Sequence, residues 1–122
     1  MSHPVTYFEI PVTDMERAVR FYTTVFGHTL ERQTLDGYEM ALFPFADGSP
    51  GATGALARGD VYVPSKTGPI IYFRVNSIDE TIRRARMLGA TVLYEKKNVG
   101  EFGFVAEIED SEGNRIALNE QN

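Results

Sequence analysis

Apolar and polar positions alternate along residues 4–12, with Phe8, Ile10 and Val12 on one side and Tyr7, Glu9 and Pro11 on the other. That is the period of a strand with one buried face. The period then lengthens. Met15, Ala18, Val19, Tyr22, Val25 and Phe26 recur at helical spacing and predict an amphipathic helix. Thr13 and Glu16 stand at capping-box spacing ahead of it, and Gly27 sits where a terminating glycine belongs. Strands are predicted next over residues 29–33, 38–43 and 53–57. Asp36-Gly37 marks a hairpin between the first two, and a polar, glycine-rich loop at 47–51 precedes the third.

The same order then starts again. Residues 70–75 alternate, with Ile71, Phe73 and Val75 on one face. Ser77 and Glu80 repeat the cap spacing, Ile78, Ile82, Ala85 and Leu88 repeat the helical stripe, and Gly89 ends it. Strands are predicted at 91–95, 102–109 and 115–119, with a turn at 110–113 before the last. Val12 and Val75 close matching strands 63 positions apart, while Gly27 and Gly89, like Gly51 and Gly113, are 62 apart. Agreement in cap, stripe, glycine and final strand is the mark of an internal repeat. The predicted fold class is α+β: two tandem β-α-β-β-β modules, about 1–58 and 69–122, joined by a linker at 59–68. Together they are expected to form a curved mixed sheet with a central cup. A unit of about 60 residues is marginal on its own, so 1–122 is read as a single domain.

Several of these residues carry a family resemblance. The run from Phe8 to Tyr22, with Asp14 and the Phe21-Tyr22 pair, is followed by Val25-Phe26-Gly27. The second half adds the strand from Tyr72 to Val75, Leu88-Gly89, and the run from Glu109 through Gly113-Asn114 to Leu118. Nearly the whole chain thereby resembles the vicinal-oxygen-chelate superfamily of glyoxalases, bleomycin-resistance proteins and extradiol dioxygenases, and within it the short glyoxalase-related group. The resemblance implies paired β-α-β-β-β modules and a homodimer. It also implies four metal-ligand positions, one on the first and one on the last strand of each module. Here they fall on Tyr7, Ala55, Ile70 and Ala117. Alanine and isoleucine coordinate nothing, and divalent metals of this class want imidazole or carboxylate. The expectation is therefore no cofactor and no metal site. Ser111 stands where many members of the family have proline, and no function is attached to it.

Strand parity names the residues facing the cup. If Tyr7 points into it, so do Glu9 and Pro11, then Thr53, Ala55 and Ala57, then Ile70, Tyr72 and Arg74, and finally Arg115, Ala117 and Asn119. Small, aromatic and ionic side chains together make a pocket lining. The candidate ligand-binding residues are Tyr7, Glu9, Ala55, Tyr72, Arg74, Ala117 and Asn119, with Glu9 the one catalytic candidate, as general base or anchor. A Glu9–Arg74 ion pair is the competing reading of both. Tyr38, Met40, Tyr94, Phe102 and Phe104 are read as core or dimer contacts, and His3 and His28 as surface residues. Glu107, Glu109, Asp110 and Glu112 lack the spacing of a calcium loop and read as a solvated edge.

Composition narrows the choice. There is no cysteine, so disulfides, thiolate metal sites and a thiol nucleophile are excluded. Seventeen acidic residues against 12 basic give a net charge of -5, which argues against a nucleic-acid partner. No apolar run is long enough to span a bilayer, and Met1 to Pro4 lacks the basic and apolar regions of a signal peptide. A cytoplasmic protein without a membrane partner is expected. The leading functional expectation is a metal-free protein that binds a small organic molecule in the cup. The alternatives are an enzyme of the same superfamily, lactoylglutathione-lyase-like or dioxygenase-like, using non-standard ligands such as Glu107 or Glu9 as acid/base, and a partner-binding module with a vestigial cavity.

Overall fold

A computed structural model describes residues 3–122; the reading of Met1 and Ser2 lies outside them. The order of elements is β1 (Tyr7–Pro11), α1 (Met15–Phe26), β2 (Glu31–Leu35), β3 (Tyr38–Leu42) and β4 (Thr53–Arg58), then β5 (Ile71–Arg74), α2 (Ile78–Met87), β6 (Val92–Asn98), β7 (Phe104–Glu109) and β8 (Arg115–Glu120). Each half is a β-α-β-β-β unit. The mixed sheet of the two modules consists of two four-stranded sheets, ordered β1-β4-β3-β2 and β5-β8-β7-β6. In each, the first strand pairs in parallel with the last and the other pairings are antiparallel.

Both helices are amphipathic and bury one stripe. α1 covers the first sheet, α2 the second, and the helices also meet each other. One core runs through both halves, from Ile10, Val12, Tyr22 and Leu56 to Phe73, Ile82, Ile108 and Leu118. The two modules thus share one buried apolar cluster. The period-2 reading of faces holds: Phe8, Ile10, Leu56, Phe73, Ile116 and Leu118 pack toward the helices, and Tyr7, Glu9, Ala55, Tyr72, Ala117 and Asn119 lie on the opposite, open faces.

Local chemistry places the ends. Asp36 and Gly37 both take positive φ, 52° and 78°, the two-residue turn whose twist matches its flanking strands. The strands run right up to it, pairing Leu35 with Tyr38, so β2 lies two residues beyond its expected span. Gly54 lets β4 approach β1, because a Cβ there would stand 2.0 Å from the Phe8 carbonyl oxygen. Ser77 caps α2 as expected, accepting from the Glu80 N–H. At α1 the cap is Asp14, not Thr13: its Oδ1 accepts from the Arg17 N–H at 3.0 Å. Glu16 is drawn away by Arg32, 2.6 Å from it. β6 runs longer than expected, with two irregularities in its pairing. Phe102 falls in a single 3-10 turn (Gly100–Phe102) ahead of β7 rather than in the strand.

Candidate functional site

The open face of the first sheet is largely closed over. Met40, Ala55 and Ala57 are buried under Tyr38, Leu42 and Tyr62. Tyr62 comes from the linker, and its ring meets Tyr38 edge-on at 5.4 Å. Glu9 sits at the border of this patch. The Tyr62 hydroxyl donates to one carboxylate oxygen at 2.8 Å and the Tyr7 hydroxyl to the other at 3.1 Å. Burial and then the Glu9 carboxylate push the Tyr7 phenol up to about 12. The Glu9 hydrogen bond likewise raises Tyr62. Both phenols are therefore donors at neutral pH and neither is a nucleophile. No Glu9–Arg74 ion pair forms among the described residues; Glu9 is held by Tyr7 and Tyr62 instead.

The open face of the second sheet is different. A groove of about 660 Å³ runs along it between β5, the turn at 100–102 and the chain end. Its apolar walls are Tyr72, Val99, Phe102 and Val105, and its polar positions include Glu101 and Asn119. Phe102 is 77% exposed and Tyr72 55%, a large apolar surface for side chains of this size. Asn119 fastens the wall: its Nδ2 donates to the Phe102 carbonyl at 2.8 Å and to the Phe104 carbonyl at 3.2 Å. Deeper along the same face, Arg115 donates to Glu107, so this carboxylate is already engaged.

The residues at the four implied metal positions do not fit a metal. Ala55 lies in register between Glu9 and Leu42, and Ala117 between Tyr72 and Glu107; both are fully buried methyl groups. Ile70 offers hydrocarbon, and Tyr7 a phenol already given to Glu9. Among the described residues no three His, Asp or Glu side chains converge as metal ligands.

Two expectations are corrected. Asp110 and Glu112 are not a solvated edge but are buried, with Asn114, in the β7–β8 turn. Glu112 Oε1 accepts from the backbone N–H groups of Thr13 and Asp14, both at 2.9 Å, and Arg17 donates to Oε2 at 2.7 Å. Burial pushes this carboxyl up, but the Arg17 guanidinium and the two N–H groups more than offset that and hold it at about 2. Asp110 accepts the Tyr22 hydroxyl at 2.6 Å. Burial dominates there and raises the carboxyl against its hydrogen bonds. His28 is also not a surface residue. It is half-buried, stacked on Phe26 at 5.7 Å and edge-on to Phe43 at 5.5 Å. Burial lowers its pKa, which leaves a neutral imidazole at neutral pH. His3 is exposed.

The structure thus brings Tyr72 and Asn119 into one groove and Tyr7 with Glu9 into another patch. Ala55 and Ala117 lie beneath their neighbours, and Arg74 stands apart from both groups. Sequence reasoning missed Tyr62, Val99 and Val105. Tyr62 lies in the linker, where no period assigns a face; Val105 was one parity step from legible in its strand.

A family model described as Glyoxalase/Bleomycin resistance protein/Dioxygenase superfamily matches residues 4–118. No curated protein sequence matches. Among solved structures, a glyoxylase/bleomycin resistance protein/dioxygenase domain from Frankia sp. EAN1pec is 18% identical with a TM-score of 0.75, covering 100% of each chain. TnmS3, an antibiotic binding protein from Streptomyces sp. CB03234, is 25% identical with a TM-score of 0.68, covering 100% of this chain and 98% of its own. A mutant of glyoxalase I from Zea mays is 17% identical with a TM-score of 0.68. This chain is covered over 96% of its length there but spans only 46% of that protein.

Proposed function

The chain belongs to the Glyoxalase/Bleomycin resistance protein/Dioxygenase superfamily, and from that premise we propose that it binds a small organic molecule without a metal. The ligand lies in the groove on the second sheet. The observation that carries this reading is the groove itself: about 660 Å³, walled by Tyr72, Val99, Phe102 and Val105 with a few polar positions, the composition of a small-molecule site. Tyr72 and Phe102 present faces for a planar ligand. The antibiotic binding protein from Streptomyces supports the reading as a relative in fold. The buried alanines at 55 and 117 support the metal-free part of it. A second copy of the chain, covering exposed Tyr94, completes the proposal as a cytoplasmic homodimer.

A second reading, acid–base chemistry at Glu9, rests on the two tyrosine hydroxyls aimed at its carboxylate. A thermal-shift screen of small planar compounds separates the readings, since binding raises apparent stability by RT ln(1 + [L]/Kd). A hit should bind about tenfold more weakly to Phe102→Ala and unchanged to Glu9→Gln. Elemental analysis for zinc, nickel, manganese and iron should find no stoichiometric metal. Stoichiometric metal, or a hit lost with Glu9→Gln alone, contradicts the proposal.

A further inference from the structure

The repeat pairs the β7–β8 turn with the β3–β4 loop, and the two behave differently. The β7–β8 turn fills one end of the seam between the modules: Asn114 Nδ2 donates to the Pro11 carbonyl at 2.7 Å, and its Oδ1 accepts from the Ser65 N–H at 3.0 Å. Sixty-two positions earlier, Ala52 stands in place of Asn114 and has no such reach. The loop at 44–52 stays exposed. At that end the seam remains open as a cavity of about 380 Å³.

Its lining is selective. Phe8, Phe43 and Phe73 form an aromatic wall with ring centroids 5.7–6.1 Å apart. His28 and Arg74 line it as well, and no carboxylate does, in a chain with 17 acidic residues. Arg74 is exposed and makes no ion pair or hydrogen bond among the described residues. His28 Nδ1 is sealed from solvent without a partner. A sealed lone pair is tolerated better than a sealed N–H, so the proton belongs on Nε2. Nε2 is not sealed and has no acceptor among the described residues, and His28 lines the cavity.

We propose that this cavity binds a planar organic anion, an aryl carboxylate, with its ring against Phe8, Phe43 and Phe73 and its carboxylate between the Arg74 guanidinium and the His28 Nε2–H. The two donors require an acceptor, the arginine requires a negative one, and the aromatic wall selects a flat hydrocarbon body. The site is separate from the groove of the second sheet, although Tyr72 borders both.

The test is an NMR titration of the full chain with sodium benzoate and with benzamide at constant ionic strength. Benzoate should shift the His28 ring and the amides of Phe8, Ala52 and Phe73, and bind about tenfold more tightly than benzamide. Arg74→Gln, at an exposed position, should weaken benzoate about tenfold and leave benzamide unchanged. His28→Phe, which keeps a ring in the stack, should weaken benzoate about threefold to tenfold. Equal affinity for the two probes, shifts confined to Val105 and Asn119, or indifference to Arg74→Gln would overturn the proposal.

Discussion

The two modules share one wiring and differ wherever their loops differ. In the first, the linker folds Tyr62 back across the open face and ties it to Glu9. In the second, the 3-10 turn stands up as a wall and leaves a groove beside it. The helix starts differ in the same way. The first N–H groups around α1 are held by Glu112 from the other module, whereas the Ile78 N–H of α2 is held by Glu120 of its own sheet, at 2.7 Å. A duplicated unit therefore keeps its core symmetric while its turns diverge. One set of turns locks the halves together; the other set leaves room.

Glu112→Ala removes a buried carboxylate from one arginine and two backbone donors, and should cost about 3 kcal/mol in chemical denaturation. Glu120→Ala, losing one hydrogen bond, should cost about 1 kcal/mol. Equal losses would mean that the lock holds no more than an ordinary cap. Next in size, Tyr22→Phe deprives buried Asp110 of a donor 2.6 Å away and should cost about 2 kcal/mol. The effect should shrink at low pH, where Asp110 is protonated and no longer needs that donor.

Acid acts on the two buried carboxyls in opposite directions. Glu112 titrates at about 2 in the fold, below its unfolded value, so its contribution is present above the unfolded pKa and is lost as pH falls toward 2. Asp110 is shifted the other way, so its burial penalty eases as it takes up a proton on acidification. The net acid loss should therefore be modest in the wild type, and Glu112→Gln should flatten or reverse it. Thermal melts from pH 6 to pH 2 read the sign.

Much of this architecture was legible because side-chain period is local. Period 2 assigned the faces of β1, β4, β5 and β8, and period 3.6 assigned α1 and α2. Asp36-Gly37 fixed its own hairpin. The repeat was readable because core spacing survives where surface chemistry drifts. What stayed hidden depends on distant partners. Glu112 lies 99 positions from Thr13, and nothing in an acidic run tells a locked carboxylate from a solvated one. Glu9 was seen as a site residue, but its partner Tyr62 lies in an aperiodic linker. His28 follows a helix stop, where exposure is the ordinary expectation, and only tertiary packing places it among Phe26, Phe43 and Phe73.

The second module's open face is the proposed ligand site, and the first module's is largely closed over. Backbone-amide chemical-shift mapping with the tightest compound from the thermal-shift screen tests this most directly. Saturable shifts at Tyr72, Val105 and Asn119, with Ala55, Ala57 and Met40 unmoved, are the predicted result. Shifts centred on Ala55, Ala57 and Tyr62 would contradict it.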